Sequence, residues 1–290
     1  AAKAPCDAQR ILGVDAAIMF ADLLPILEPM GMKLDYIPGF GPNFENPVRT
    51  HADIDNLSVQ PAKESMPYIH DVIKLIRAEL PKDIPLIGFG GAPFTLASYA
   101  IEGKGSRNYV FVKQMMYGDT GAWHGLMEKI TDTVIDYMNY QIDSGVQAVQ
   151  LFDSWVGTLS PSDYREYVMP HSQRMMKEIS GRVPVIHFGT GNPALAPLMA
   201  EAGGDVLALD WRTPLLETWN ATGVKSVQGN MDPIILCADK ASVKRKAKEV
   251  LDEVNGRPGH IFNLGHGIIP ETPVENVKAL VDFVHEYSAK

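Results

Sequence analysis

His260-Ile261-Phe262-Asn263-Leu264-Gly265-His266-Gly267-Ile268-Ile269-Pro270-Glu271-Thr272-Pro273 is an apolar, strand-like run that passes through a histidine held between two glycines into a helix start. Glycine on each side lets the backbone turn sharply and lets a ligand approach closely. In strand–helix repeats, chemistry is placed at the carboxyl ends of strands. His266 is therefore the first candidate site residue. Beyond it, Thr272 is the expected N-cap, Pro273 the first helical residue and Glu275 the partner that closes a capping box. Val277, Leu280, Val281 and Val284 form the buried stripe of that helix.

Working back along the chain, six more short apolar runs read as strands, so that the set is 15–20, 85–90, 148–152, 184–188, 206–210, 226–228 and 260–264. Helical periodicity separates them. Ile69, Val72, Ile73, Ile76 and Leu80 share one face, as do Val243, Ala247, Val250, Leu251 and Val254, with Gly256 as the expected C-cap. Strands alternating with helices imply a parallel sheet, and strands apolar on both faces imply helices covering it. The fold expected is an α/β (βα)8 TIM barrel, forming one domain over 1–290. Seven strands leave it one short, which reads as a first strand upstream of Ala1, with residues 6–12 as the tail of a helix. An open doubly wound sheet usually carries a glycine-rich turn after its first strand, and none follows Phe20.

With 46% hydrophobic and 21% charged residues, a chain of this length can bury a sizeable core. No apolar stretch reaches the 18 residues of a membrane span, and the start has no apolar run of signal-peptide type. Cys6 and Cys237 alone provide neither a disulfide framework nor a zinc site, which suits a reducing cytoplasm. Lys and Arg number 26 against 35 Asp and Glu, a net charge of −9, so nucleic acid is not an expected partner.

Each strand end carries a polar or glycine-rich cluster. Asp22 follows the first run, where it can serve as a cap for 23–29 or as a functional carboxylate. Gly88-Phe89-Gly90-Gly91-Ala92-Pro93 lacks the third glycine of a dinucleotide loop; tight packing and a helix start at Pro93 explain it, with Tyr99 six residues further on. Leu151-Phe152-Asp153-Ser154-Trp155 reads as a pocket wall, and no nucleophile elbow surrounds Ser154. His187 sits inside an apolar strand and reads as a core residue. Asp210 and Arg212 either face the site or form a structural ion pair. Gln228-Gly229-Asn230-Met231-Asp232-Pro233 ends the next strand. Together these clusters define one active-site face.

The order of motifs resembles that of uroporphyrinogen decarboxylases: Asp-Ala-Ala-Ile-Met-Phe-Ala-Asp (15–22), Gly-Ala-Pro-Phe-Thr-Leu-Ala-Ser-Tyr (91–99), Gln-Leu-Phe-Asp-Ser-Trp (150–155), Gln-Gly-Asn-Met-Asp-Pro (228–233) and Asn-Leu-Gly-His-Gly (263–267). The resemblance runs from about Leu12 to the C-terminus. It implies a cofactor-free, metal-free decarboxylase of tetrapyrrole synthesis, a homodimeric barrel that converts the four acetates of uroporphyrinogen to methyl groups. On this resemblance Asp22 matches the central aspartate that accepts from the pyrrole N–H groups. Tyr99, Ser154 and His266 match residues that hydrogen-bond substrate carboxylates, and Phe20 and Phe152 would wall the macrocycle. The family commonly has Ser where this chain has Ala21. Its arginine-rich first-strand signature is absent, although the substrate carries eight carboxylates. Arg212 and Arg107 are the loop cations that remain, so an upstream Arg-bearing segment of about 50 residues or fewer is expected.

Two other functions compete. A zinc-dependent corrinoid methyltransferase of the same superfamily would need a His-x-Cys pair, where this chain has His187-Phe188-Gly189. A non-catalytic tetrapyrrole-binding paralogue could dispense with Asp22, which is present here.

Overall fold

The structure is a computed structural model that describes residues 2–19, 21–179 and 181–289. Phe20 lies outside the described residues. Seven parallel strands form one curled sheet in chain order: β1 (Ala17–Ile18), β4 (Leu86–Gly91), β5 (Ala148–Asp153), β6 (Val185–Gly189), β7 (Val206–Leu209), β8 (Ser226–Met231) and β9 (His260–Leu264). The two remaining strands, β2 (Leu34–Ile37) and β3 (Gly41–Phe44), pair antiparallel as a separate hairpin. Sequential parallel strands with helices between them are the (βα)-barrel arrangement. All seven sheet strands fall on the runs read from the sequence.

Side chains of a strand alternate between its two faces, and here each face meets a different apolar layer. Ile186, Phe188, Val206 and Ala208 form an inner cluster with Ile87 and Phe152. Val149, Leu151, Val185 and Leu207 belong to the larger cluster that packs the sheet against its helices. The helix Thr120–Ser144 supplies much of that outer layer, burying Trp123, Leu126, Ile130, Val134 and Met138. Each large apolar side chain buried in this way contributes roughly 1.5–3 kcal/mol. Gly88 and Gly90 let the helix lie close: a Cβ at either would stand 2.6 Å from Gln141 Oε1 or 2.7 Å from Met138 Sδ. Gln141 uses this proximity to bond both the amide and the carbonyl of Phe89. Tight packing is thus the reason for the glycines of this strand.

Two helix ends differ from the sequence expectation. The last helix, Val274–Ser288, begins one residue later, with Pro273 as its N-cap. Thr272 consequently lies outside it, its Oγ1 buried without a partner, and Glu275 pairs with Lys278 instead of closing a capping box. At the end of Lys240–Val254, Asn255 rather than Gly256 is the C-cap, at φ 48. Asparagine tolerates the left-handed region well enough for this position.

Candidate active site

The carboxyl ends of the strands surround a cavity of about 400 Å³. On β5 the alternation that turns Leu151 and Asp153 outward turns Gln150, Phe152 and Ser154 into it. Opposite them stand Asn263 and His266, and Gln228 closes the floor by donating from Nε2 to Gln150 Oε1 at 3.3 Å. No Lys or Arg lines the cavity among the described residues. Its polar groups are carboxamides, one hydroxyl and one imidazole, which can donate to carboxylates without adding fixed charge.

One wall is a chain of edge-on rings. Phe152 meets Phe188 at 5.7 Å between centroids, Phe188 meets His266 at 6.2 Å, and His266 meets Trp211 at 6.1 Å. Such T-shaped pairs add roughly 0.5–1.5 kcal/mol beyond burial and fix ring orientation. Arg212 ends the chain, its guanidinium 3.8 Å over the Trp211 ring. It does not enter the cavity. Instead it donates to Asp210 Oδ2 at 3.0 Å, the ion-pair alternative of the sequence reading. Asp210 is 1% exposed and collects further bonds from Thr190, Gly191, Thr213 and the Arg212 amide. These donors hold its carboxyl below the usual range despite the opposing effect of burial. Arg107 is exposed in the loop before the helix Val110–Gly118.

Gly265 owes its identity to a close approach rather than to a turn. Neither it nor Gly267 has a positive φ, but a Cβ at 265 would stand 2.3 Å from the Trp211 backbone nitrogen. Because the three nearest atoms, from Asp210 and Trp211, are all main chain, they cannot step aside. Gly265→Ala should cost about 1–3 kcal/mol and displace His266, read as a lower urea midpoint together with weaker substrate binding. An unchanged midpoint would show that the two segments separate freely.

Asp22 sits just beyond β1. Its Oδ1 accepts from the Leu24 amide at 2.9 Å, a turn bond ahead of the short 3-10 helix Leu24–Leu27, whose N-cap is Leu23. The Tyr36 phenol of the β2–β3 hairpin lies near enough for the Asp22 charge to act on it, and Tyr36 is pushed above its ordinary pKa by desolvation first and then by the neighbouring carboxylate. Tyr99 is pushed up to about 12, mainly by burial and secondly by the Asp22 charge. The Tyr99 ring lies 3.7 Å from Trp155, whose indole meets Tyr109 edge-on at 5.2 Å. Asp22, Tyr99 and this aromatic group form a second cluster, joined to the cavity through the Ser154–Trp155 turn. The structure thus gathers Phe152, Ser154 and His266 around the cavity, and Asp22 with Tyr99 beside it. His187 turns outward and is fully buried among apolar neighbours, with desolvation lowering its pKa to about 4. Gln150, Gln228, Asn263 and Tyr36 were not singled out from the sequence. For Gln150 the signal was there, since it shares the parity of Phe152 and Ser154.

A curled parallel sheet with its cavity at the carboxyl ends of the strands places the protein in the class of (βα)-barrel enzymes. A family model described as Uroporphyrinogen decarboxylase (URO-D) matches residues 1–287. The uroporphyrinogen decarboxylase of Sorangium cellulosum is 52% identical over 276 residues, covering 94% of this chain and 79% of that protein. That of Carboxydothermus hydrogenoformans is 51% identical, covering 97% and 81%. The chain belongs to the uroporphyrinogen decarboxylase family. Among solved structures, a methyltransferase from Methanosarcina mazei superposes with a TM-score of 0.85 at 22% identity, covering 99% of this chain and 84% of that one. At that identity the likeness is one of fold alone.

Proposed function

We propose that this protein is a uroporphyrinogen decarboxylase that removes CO2 from the four acetate side chains of uroporphyrinogen III, leaving coproporphyrinogen III. The observation that carries the reading is Asp22: a carboxylate at the tip of β1, with its charge felt by Tyr99, in a chain of this family. The pyrrole supplies the electron sink, so the step needs no cofactor. Protonating a ring carbon makes a cationic, imine-like ring; the electrons of the C–CO2⁻ bond flow into it and CO2 leaves. Reprotonation of the exocyclic carbon, with return of the ring proton, gives the methyl group. The net change at each acetate is replacement of C–CO2⁻ by C–H.

Inward pyrrole N–H groups need an acceptor, and positive charge develops on the ring in the transition state. Asp22 serves both as preorganised electrostatic stabilisation. Tyr99, Ser154 and His266 donate to substrate carboxylates, while Phe152, together with Phe20 by its place in the sequence, forms apolar wall against the macrocycle. The acid-bearing substrate enters a pocket with no acidic side chain in its lining among the described residues, which limits the repulsion set by the overall charge of −9. We further place the chain as one barrel domain, working in the cytoplasm as a homodimer. Among the described residues no helix is long and apolar enough to cross a membrane, and both cysteines are free.

The zinc methyltransferase alternative has less support. Gly189 stands where that chemistry needs a thiolate, and among the described residues no three His, Cys, Asp or Glu side chains converge. An anaerobic assay with uroporphyrinogen III, products separated by carboxylate number, decides between catalysis and binding. Appearance of the seven-, six-, five- and four-carboxylate products is the expected result; binding with no loss of carboxylates means a non-catalytic paralogue. His266→Ala should raise KM about tenfold, the worth of one hydrogen bond to a charged group, with a smaller effect on kcat. An unchanged KM removes His266 from carboxylate binding.

A further inference from the structure

Asp153 is 0% exposed, yet only one of its carboxyl oxygens is hydrogen-bonded: Oδ1 accepts from Thr95 Oγ1 at 2.8 Å, and Oδ2 has no partner among the described residues. It points away from the cavity, toward the helix Pro93–Glu102 and the π-type turn Tyr164–Val168. Tyr164, itself fully buried, lies close enough for its hydroxyl to be pushed up, chiefly by burial and then by the Asp153 charge. Ser98, one helical turn from Thr95, is buried with its hydroxyl also unpartnered. A carboxyl buried with half its bonding capacity unused is costly, and such groups concentrate where function requires them.

The hydroxyl that meets Asp153 has a second contact. Thr95 Oγ1 also accepts from the Trp155 amide at 3.3 Å. Thr95 therefore spans from Asp153 to Trp155, and the residue between them is Ser154, which faces the cavity. Trp155 in turn carries the Tyr99 ring. We infer that Asp153 and Thr95 are positioning residues: their hydrogen bond fixes the 153–155 turn, aiming Ser154 into the cavity and seating Trp155 against Tyr99. Neither touches the cavity itself. Asp153 orients the hydroxyl, since a threonine that donates to a fixed carboxyl oxygen keeps its lone pairs toward the Trp155 amide. The two clusters of the active site, one around the cavity and one around Asp22, are held in register through this single turn.

The inference rests on the decarboxylase reading, and the test separates the two. Parent protein is first assayed with uroporphyrinogen III; absence of turnover there overturns the functional reading. With an active parent, Thr95→Val removes the hydroxyl while keeping the side-chain shape. Fewer folded molecules would lower apparent kcat and leave KM alone, whereas misaiming Ser154 raises KM. The expected result is a KM at least fivefold higher in a variant whose circular dichroism matches the parent, with Thr95→Ser returning it to within about threefold. Thr95→Ala gives the same removal should the valine variant not fold. In a Ser154→Ala background, Thr95→Val should raise KM little further, because the clamp then has nothing to aim. A KM within twofold of the parent in the folded Thr95 variants overturns the inference, as does full additivity with Ser154→Ala.

Discussion

Asp22→Asn should lower kcat by about 10²–10³-fold, the usual cost of removing one preorganised electrostatic partner from a transition state, while the protein folds normally. Folding survives because asparagine retains the oxygen that accepts from the Leu24 amide, and asparagine makes such a turn as aspartate does. What the amide cannot do is carry a negative charge toward a ring that becomes cationic, or accept through both atoms from converging N–H donors. Single-turnover decarboxylation measured beside thermal unfolding separates the two effects. A variant with kcat near that of the parent would remove Asp22 from the centre of the mechanism.

The second large effect concerns stability. Burial raises the Asp153 carboxyl to about 7, with the Thr95 hydrogen bond only partly opposing it; in the unfolded chain an aspartate titrates near 3.9. Below about pH 4 both states are protonated and the contribution of this group is fully present. Between about pH 4 and 7 the unfolded chain releases its proton first, so the folded state loses roughly 1.4 kcal/mol per pH unit. By pH 8 the loss reaches about 4 kcal/mol. Asparagine has no proton to lose and keeps an oxygen for Thr95. Asp153→Asn should therefore be more stable than the parent at pH 8 and nearly equal to it at pH 4, read from urea midpoints at the two pH values. Parallel pH profiles for the two proteins would mean that Asp153 ionises freely inside the fold.

How much of this was legible in the sequence depended on periodicity. Strands β6 and β7 are apolar on both faces, apart from His187, because inner and outer layers cover them, and such runs stand out between amphipathic helices. The hairpin did not: Leu34–Ile37 is short and mostly exposed, and Gly41–Phe44 opens on Gly-Pro and is mostly half-buried, so no alternating burial pattern marks either. The site was legible where a polar residue interrupts an apolar strand end, as at Ser154 and His266. It was less so where identity depends on facing. Asp153 and Ser154 are neighbours of similar polarity, and only strand parity counted from Phe152 shows that one looks into the cavity and the other into the helices. Arg212 shows the converse limit. Its charge suited a polyanionic substrate, but the choice between substrate and Asp210 rested on a distance of 3.0 Å that spacing in the chain leaves open.

The nearness of the Tyr36 phenol to Asp22 has a consequence for access. Asp22 accepts from the Leu24 main-chain amide and has the exposed Tyr36 phenol of the hairpin in its neighbourhood. On the proposed reading, a ring whose N–H donors converge on Asp22 would arrive beside that phenol. Residues 34–37 would then border the path of the substrate, so that changes at the hairpin would be felt at the anion without touching it.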